Sequence, residues 1–372
     1  MARRGFSSVP RLANRGPEYT PRADLTTIEH QRFIMNSSFA AERYNVTPLP
    51  FIPFSNTGGE ALSNNGVVVG GIANSDGSVS LAEWSKGVLT TLDIPPGLPS
   101  QDFNLPRVFG INDHGAVVGT IHTSAGDLPS RWFIYDRGGF NVLPLADPTD
   151  LGGSAIGINN WGEVVGFDHT SSKRLKGWLW SNGAYSSLPV SGTSTSAFAI
   201  NSSGTIIGNR RLRFIRRLFD GQLRYKGERG YVLSRGSTQY VNGFVYAINN
   251  SDEAAGGSIC GGQAMAAVFK NGVATVILNM PSSAVGINSA ASVAGWYQSA
   301  GYNRRHLFRW SAEFGAFDLT PAGYCSAQAA AINDRGDILG FGETVSGKSK
   351  YFLLTPDPNG ELSPKALITV PP

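Results

Sequence analysis

Apolar and polar positions alternate along this chain in short runs, and the runs return in the same order seven times. Each unit opens with a small residue, then Ile or Leu, then Asn or Ser. Two variable residues, Gly or a substitute, and an apolar run ending in Gly follow. The copies are ALSNNGVVVG from Ala61, GINDHGAVVG from Gly110, GINNWGEVVG from Gly157, AINSSGTIIG from Ala199, AINNSDEAAG from Ala247, GINSAASVAG from Gly286 and AINDRGDILG from Ala331. The anchors Leu62, Ile111, Ile158, Ile200, Ile248, Ile287 and Ile332 are spaced by 49, 47, 42, 48, 39 and 45 residues. Repeats of this length are supersecondary units that bury their apolar faces against their neighbours.

The pattern inside one unit predicts four strands. Strand a is the short segment at Ala/Gly-Ile. The Asn-x-x-Gly after it is a turn, because Asn bonds its own backbone two residues on and Gly supplies positive φ. Strand b is the branched run, such as VVVG or TIIG. Strand c is rich in aromatics: LAEW, RWFIY, GWLW, GYVL, AAVF, HLFRW and YFLL. Turns such as Ser85-Lys86-Gly87, Ser181-Asn182-Gly183 and Lys270-Asn271-Gly272 lead to strand d. Asn-Gly between apolar runs is a strong hairpin signal. Four antiparallel strands per unit match one propeller blade, and seven units lie within the usual range for ring closure. The predicted fold is all-β: a seven-bladed β-propeller over residues 44–372. The strand c aromatics are expected between blades, so Trp180→Ala should cost several kcal/mol. YNVTPLPFIPF, residues 44–54, reads as a strand d without its own a, b and c, and so as the strand that closes the ring. The run Lys365–Val370 competes for that place.

The repeat resembles the HAF-repeat family of extracellular repeats. That family carries Ala-Ile-Asn-x-x-Gly-x-Val-Val-Gly, then a His-Ala-Phe-Leu-Trp strand, then a Leu-Gly-rich segment. Here the first element is well kept. The second survives best as His306-Leu307-Phe308-Arg309-Trp310, and the third as traces such as Asp150-Leu151-Gly152-Gly153. The resemblance spans about residues 58–355. It implies a propeller-like array and an extracellular setting, and no activity.

Composition adds the surroundings of the ring. Hydrophobic residues are 41%, charged residues 16%, and there are 46 Gly, which suits short strands and tight turns rather than disorder. The net charge of +4 is unevenly placed. Residues 1–45 carry +3 and residues 209–230 carry +6, so the remainder is acidic. Residues 1–43 hold no repeat and read as an extended arm with one short helix over Thr26–Met35, docking through Arg3, Arg4, Arg11 and Arg15. Residues 209–230 interrupt the fourth unit. Two basic-apolar runs around Asp220-Gly221 predict a protruding hairpin. It would display Arg210, Arg211, Arg213, Arg216, Arg217, Arg224, Lys226 and Arg229, with Phe214, Phe219 and Tyr225 interleaved. Such a surface suits an acidic protein partner, an anionic headgroup or glycan, or a phosphate backbone, with protein favoured over nucleic acid.

Other chemistry is thin. Cys260 and Cys325 are too few for a disulfide framework and are expected to be free thiols. His30, His114, His122, His169 and His306 show no zinc spacing. The Asx residues at Asn112-Asp113, Asn159-Asn160 and Asn333-Asp334 recur at one turn, which fits turn formation better than calcium. No cofactor is expected, and there is no G-x-S-x-G. A glycosidase carboxylate pair could only come from separate strands, with Glu163, Asp168, Asp337 and Glu343 as candidates. Asn36, Asn45, Asn201 and Asn249 fit the glycosylation acceptor pattern, two of them as the repeat's own Asn. No apolar run is long enough for a membrane helix, and MARRGFSSVPRL lacks the apolar core of a secretory signal. The expectation is a non-enzymatic platform anchored in a virion, phage tail or cell-surface appendage. The alternatives are a secreted carbohydrate-binding lectin and a propeller glycoside hydrolase.

Overall fold

The computed structural model describes residues 43–52, 60–76, 79–93, 106–121, 130–211, 229–299 and 304–366. The described residues form seven antiparallel sheets and no helix. Blades 1 to 6 each take strands a to d consecutively from the sequence. Blade 3, for example, is Gly153–Ile158, Val164–His169, Leu175–Ser181 and Ala184–Ser187. The chain is a seven-bladed propeller, as the repeat predicts.

Blade 7 solves the closure problem. Its strands a, b and c are Tyr324–Ile332, Ile338–Thr344 and Ser349–Pro356, and its strand d is Tyr44–Pro48 from the other end of the sequence. Tyr44 is 1% exposed, packed with Phe352, Leu354 and Leu307. Its hydroxyl accepts from Arg309 at 2.6 Å. The other contender, Lys365–Ala366, pairs with Gly315–Asp318 instead and becomes a fifth strand of blade 6. On its way the chain exchanges two hydrogen bonds of 3.0 Å between Tyr44 and Leu362.

Each position of the repeat has a packing reason. In five of the seven blades the Gly of strand b lies under an aromatic of strand c; in blades 1 and 5 Gly70 and Gly256 face Ala82 and Ala267. Gly166 faces Trp178 in the ladder, and a Cβ there would sit 2.7 Å from the indole and 2.0 Å from the Ser154 carbonyl. Gly119 with Phe133, Gly208 with Tyr231, Gly295 with Phe308 and Gly340 with Phe352 repeat the arrangement. The small residue before the anchor Ile faces the next blade: a Cβ on Gly157 would approach the Phe198 carbonyl to 2.9 Å. One residue earlier the ladder shifts register in blades 2 to 7, a recurrent β-bulge that bends the inner strand. The aromatics do pack between blades, as Trp132 of blade 2 against Trp178 of blade 3 shows. Trp178 is the buried member of its pair at 2% exposure, whereas Trp180 is half-buried, so the large truncation cost belongs to Trp178.

Antiparallel order divides the ring into two faces. The a–b and c–d turns share one, the turn face. The b–c and d–a connections share the other, the loop face. The c–d turns at Lys86-Gly87, Asn182-Gly183 and Asn271-Gly272 have positive φ at both residues, as two-residue hairpins require. The arm 1–42 and the insertion's span 212–228 lie outside the described residues, and so do the expected helix and hairpin turn. The insertion's roots are ordinary ladder: Asn209 and Arg210 pair with Gly230 and Arg229.

Candidate functional site

The seven a–b turns surround the channel mouth, and their Asn residues bind blade to blade. In Asn112, Asn159, Asn201, Asn249, Asn288 and Asn333 the side-chain oxygen accepts from the backbone N–H groups two and four residues on. The side-chain NH2 donates to the carbonyl of the corresponding residue in the next blade, at 3.0–3.2 Å. Six of the seven seams are joined this way. The seventh fails because blade 1 has Ser63, which carries no amide to offer. There Asn64 and Asn65 reach Asp113 instead.

The next residue forms a second ring. Its backbone N–H donates to the side chain of its counterpart in the following blade, from Asn64 to Asp113, Asp113 to Asn160, Ser202 to Asn250, Ser289 to Asp334 and Asp334 to Asn64. The two unmade links are those where the counterpart is Ser202 or Ser289, whose side chains are too short. At the first of these the Trp161 indole N–H donates to the Ser202 carbonyl at 3.0 Å, leaving Trp161 77% exposed. The mouth is a polar basin of about 160 Å³ over the ring of anchor residues. The recurring Asx residues therefore form turns, as expected, and also hold the blades together. Among the described residues no group of three or more His, Cys, Asp or Glu could hold a metal, and Cys260 and Cys325 are free.

A second pocket, of about 410 Å³, opens at the seam of blades 7 and 1. Trp84, Leu353 and Pro356 give it an apolar wall, and Lys86, Arg335, Asn65 and Thr355 its polar groups. Arg335 lies over Gly66, where any Cβ would collide with its guanidinium. It donates through Nε at 3.0 Å to Asp337, which also accepts from Asn333 at 2.8 Å. Behind this seam Glu60 is 8% exposed among apolar neighbours, and neither carboxyl oxygen has a hydrogen-bond partner of normal geometry. Burial pushes its carboxyl up to about 8, and the facing Tyr351 hydroxyl is raised by the same burial and by Glu60.

The predicted basic residues are only partly described. Arg210 is held at the root of the insertion. Its guanidinium lies 3.4 Å from the centre of the Tyr240 ring and donates to the Ser191 carbonyl at 2.8 Å. That contact offsets the Arg229 charge directly across the ladder. Arg211 and Arg229 are exposed at the loop-face end of these strands. Arg213, Arg216, Arg217, Arg224 and Lys226, like Arg3, Arg4, Arg11 and Arg15 of the arm, lie outside the described residues.

The four candidate carboxylates are not brought together. Glu163 and Asp168 stand at opposite ends of one strand of blade 3, about 16 Å apart by strand rise. Asp337 and Glu343 do the same in blade 7, at about 20 Å. Glycosidase pairs sit about 5–9.5 Å apart. Glu163 is occupied by Asn159 and Ser181. Asp168 is fully buried and accepts from the Trp178 indole and the Ala146 N–H, while burial raises its carboxyl above the usual range. Among the histidines, His306 stacks on Tyr297 with Asp318 3.8 Å away, and His30 and His122 lie outside the described residues. The seam pocket and Trp161 were missed by motif reading. Their signal is that the third position of the a–b turn varies freely between blades (Asn65, His114, Trp161, Ser203, Ser251, Ala290, Arg335) inside an otherwise repeated motif.

No protein-family profile matches this sequence, and no curated protein does. Solved structures do resemble it. The β-propeller domain of the trilobed protease from Pyrococcus furiosus superposes with a TM-score of 0.54 at 10% identity, covering 87% of this chain and 96% of that one. A puromycin-hydrolysing peptidase from Mycobacterium tuberculosis gives 0.53 at 13%, covering 90% and 54%. The acylaminoacyl peptidase of Pyrococcus horikoshii gives 0.50 at 11%, covering 80% and 50%. The chain spans about half the length of these two peptidases, and at such identities the likeness is one of fold: this chain shares the β-propeller architecture.

Proposed function

We propose that the protein is a non-catalytic binding platform that attaches to a larger assembly through its loop face and its basic segments. The observation that carries this reading is the contrast between the two faces. The turn face is built from short turns tied into two hydrogen-bonded rings. The long connections inside the repeats, the basic span 212–228 included, depart from the loop face, whereas the N-terminal segment joins at Arg43, at the turn-face end of blade 7. Variable connections on a rigid scaffold are where proteins place recognition. Arg210, pinned at the root of the insertion, fixes where that basic segment leaves the ring, and exposed Arg211 and Arg229 begin its charged surface. The partner this fits is an acidic protein surface, and the likeness of the motif to HAF repeats favours an extracellular setting. The dispersal of the candidate carboxylates supports binding over glycoside hydrolysis. Replacing Arg211, Arg213, Arg216 and Arg217 together by Gln is expected to weaken association with the native assembly and flatten its salt dependence. Unchanged association would refute the reading.

A further inference from the structure

The seam pocket between blades 7 and 1 is concave, amphipathic and positively charged, and none of the repeat's structural duties accounts for its exposed groups. Lys86 has no carboxylate partner among the described residues. The pocket's own carboxylate, Asp337, is 2% exposed and already engaged by Arg335 and Asn333. The Arg335 guanidinium is held by that pair and by its seat on Gly66, so it is preorganised rather than free to collapse onto a ligand. Asn65 spends its NH2 on the Asp113 carbonyl at 2.7 Å, which fixes the side chain and leaves its oxygen as an acceptor. The Thr355 hydroxyl has no hydrogen-bond partner among the described residues. Trp84 is anchored in the core beneath and is half-buried at the pocket wall. Lys86 itself sits in a two-residue turn with φ of 49°, so its backbone is fixed.

We propose that this pocket binds a uronic acid residue of an acidic polysaccharide. The carboxylate pairs with Lys86 and the outer edge of Arg335. The C–H face of the sugar ring lies on Trp84, and ring hydroxyls bond Asn65 and Thr355. A simple aromatic or aliphatic carboxylate would satisfy the cations and the apolar wall but leave those two polar groups unpaired, and a neutral sugar would leave Lys86 unpaired. No other seam combines these parts. Position for position, the neighbouring seams offer Asn65 with Arg137, His114 with Asn182, Trp161 with Arg235 and Ser203 with Asn271. One site per chain is therefore expected, not one per blade.

The inference is independent of the loop-face attachment, and its test keeps the two apart. Isothermal titration is run at 0.15 M salt on the variant with Arg211, Arg213, Arg216 and Arg217 replaced by Gln, which removes adventitious polyanion binding at the insertion. The probes are digalacturonate and diglucuronate, with their methyl esters as neutral controls. Binding of at least one acid, at one site per chain and at least tenfold tighter than its ester, is expected. Lys86→Gln, an exposed turn substitution, should weaken it about tenfold, and Trp84→Leu at least as much. Failure of both acids to bind, equal binding of acid and ester, or binding indifferent to Lys86→Gln would overturn the proposal. Binding lost only when the four insertion arginines are replaced would overturn it too.

Discussion

At the scale of the residue, the asparagine of the repeat does three jobs with one amide. Its oxygen closes the turn on two backbone N–H groups, and its NH2 crosses to the next blade. Blade 1 lacks that amide at Ser63. Ser63→Asn is therefore expected to supply the missing donor to the Asn112 carbonyl and stabilise the ring by about 1 kcal/mol, the net worth of one buried hydrogen bond. Urea unfolding measures it, and a loss of stability would show that the seam is too tight to admit the amide. Glu60 makes the opposite kind of statement. Its carboxyl is held at about 8, well above its unfolded value. The folded state then binds the extra proton between the two values, so stability is highest at low pH and falls as pH rises toward 8. The fall is at most about 1.4 kcal/mol per pH unit. Glu60→Gln should flatten that slope between pH 5 and 8, read from denaturation midpoints across the range. A slope unchanged by the substitution would assign it to other groups.

At the scale of the element, closure depends on a five-residue strand. Tyr44–Pro48 completes blade 7, and Tyr44 fills a pocket in the core. Removing residues 1–48 exposes the edge of Ser349–Pro356 and the space of a fully buried tyrosine, a change of about 5 kcal/mol or more by comparison with buried aromatic truncations. Removing residues 364–372 takes away, among the described residues, the two-residue outer strand on blade 6, at about 1 kcal/mol or less. Thermal unfolding of the two truncations separates them, and equal loss would mean that both ends close the ring. Much of this was legible beforehand. The Asn-x-x-Gly turns, the strand c aromatics and the orphan strand at 44–54 are local signals, and local signals survive folding. The rings of Asn bonds were not legible, because a hydrogen bond from Asn201 to Asn249 joins residues that only ring closure makes neighbours. The seam pocket was hidden for the same reason: Trp84 and Arg335 belong to opposite ends of the sequence. Trp178 and Trp180 share one face of strand c, so alternation does not separate them; Trp178 is the more buried because it lies mid-ladder over Gly166, whereas Trp180 stands beside the c–d turn.

At the scale of the whole molecule, repetition and exception divide the labour. What repeats builds the ring: the Gly of strand b facing strand c, the bulge beside the anchor in blades 2 to 7 and the Asn that joins six of the seven seams. What does not repeat includes the basic insertion rooted on the loop face, the variable third positions on the turn face and the N-terminal segment, which joins blade 7 at the turn face. The proposed function has the loop face hold the protein to its assembly through the basic insertion. The most direct measurement is cosedimentation of the chain with its native assembly over a series of salt concentrations. Wild type is compared with the variant lacking the charges of Arg211, Arg213, Arg216 and Arg217. Wild-type association should weaken steeply as salt rises, and the variant should bind weakly at every salt with little further dependence. If the two curves coincide, the basic insertion is not the attachment and the platform reading fails.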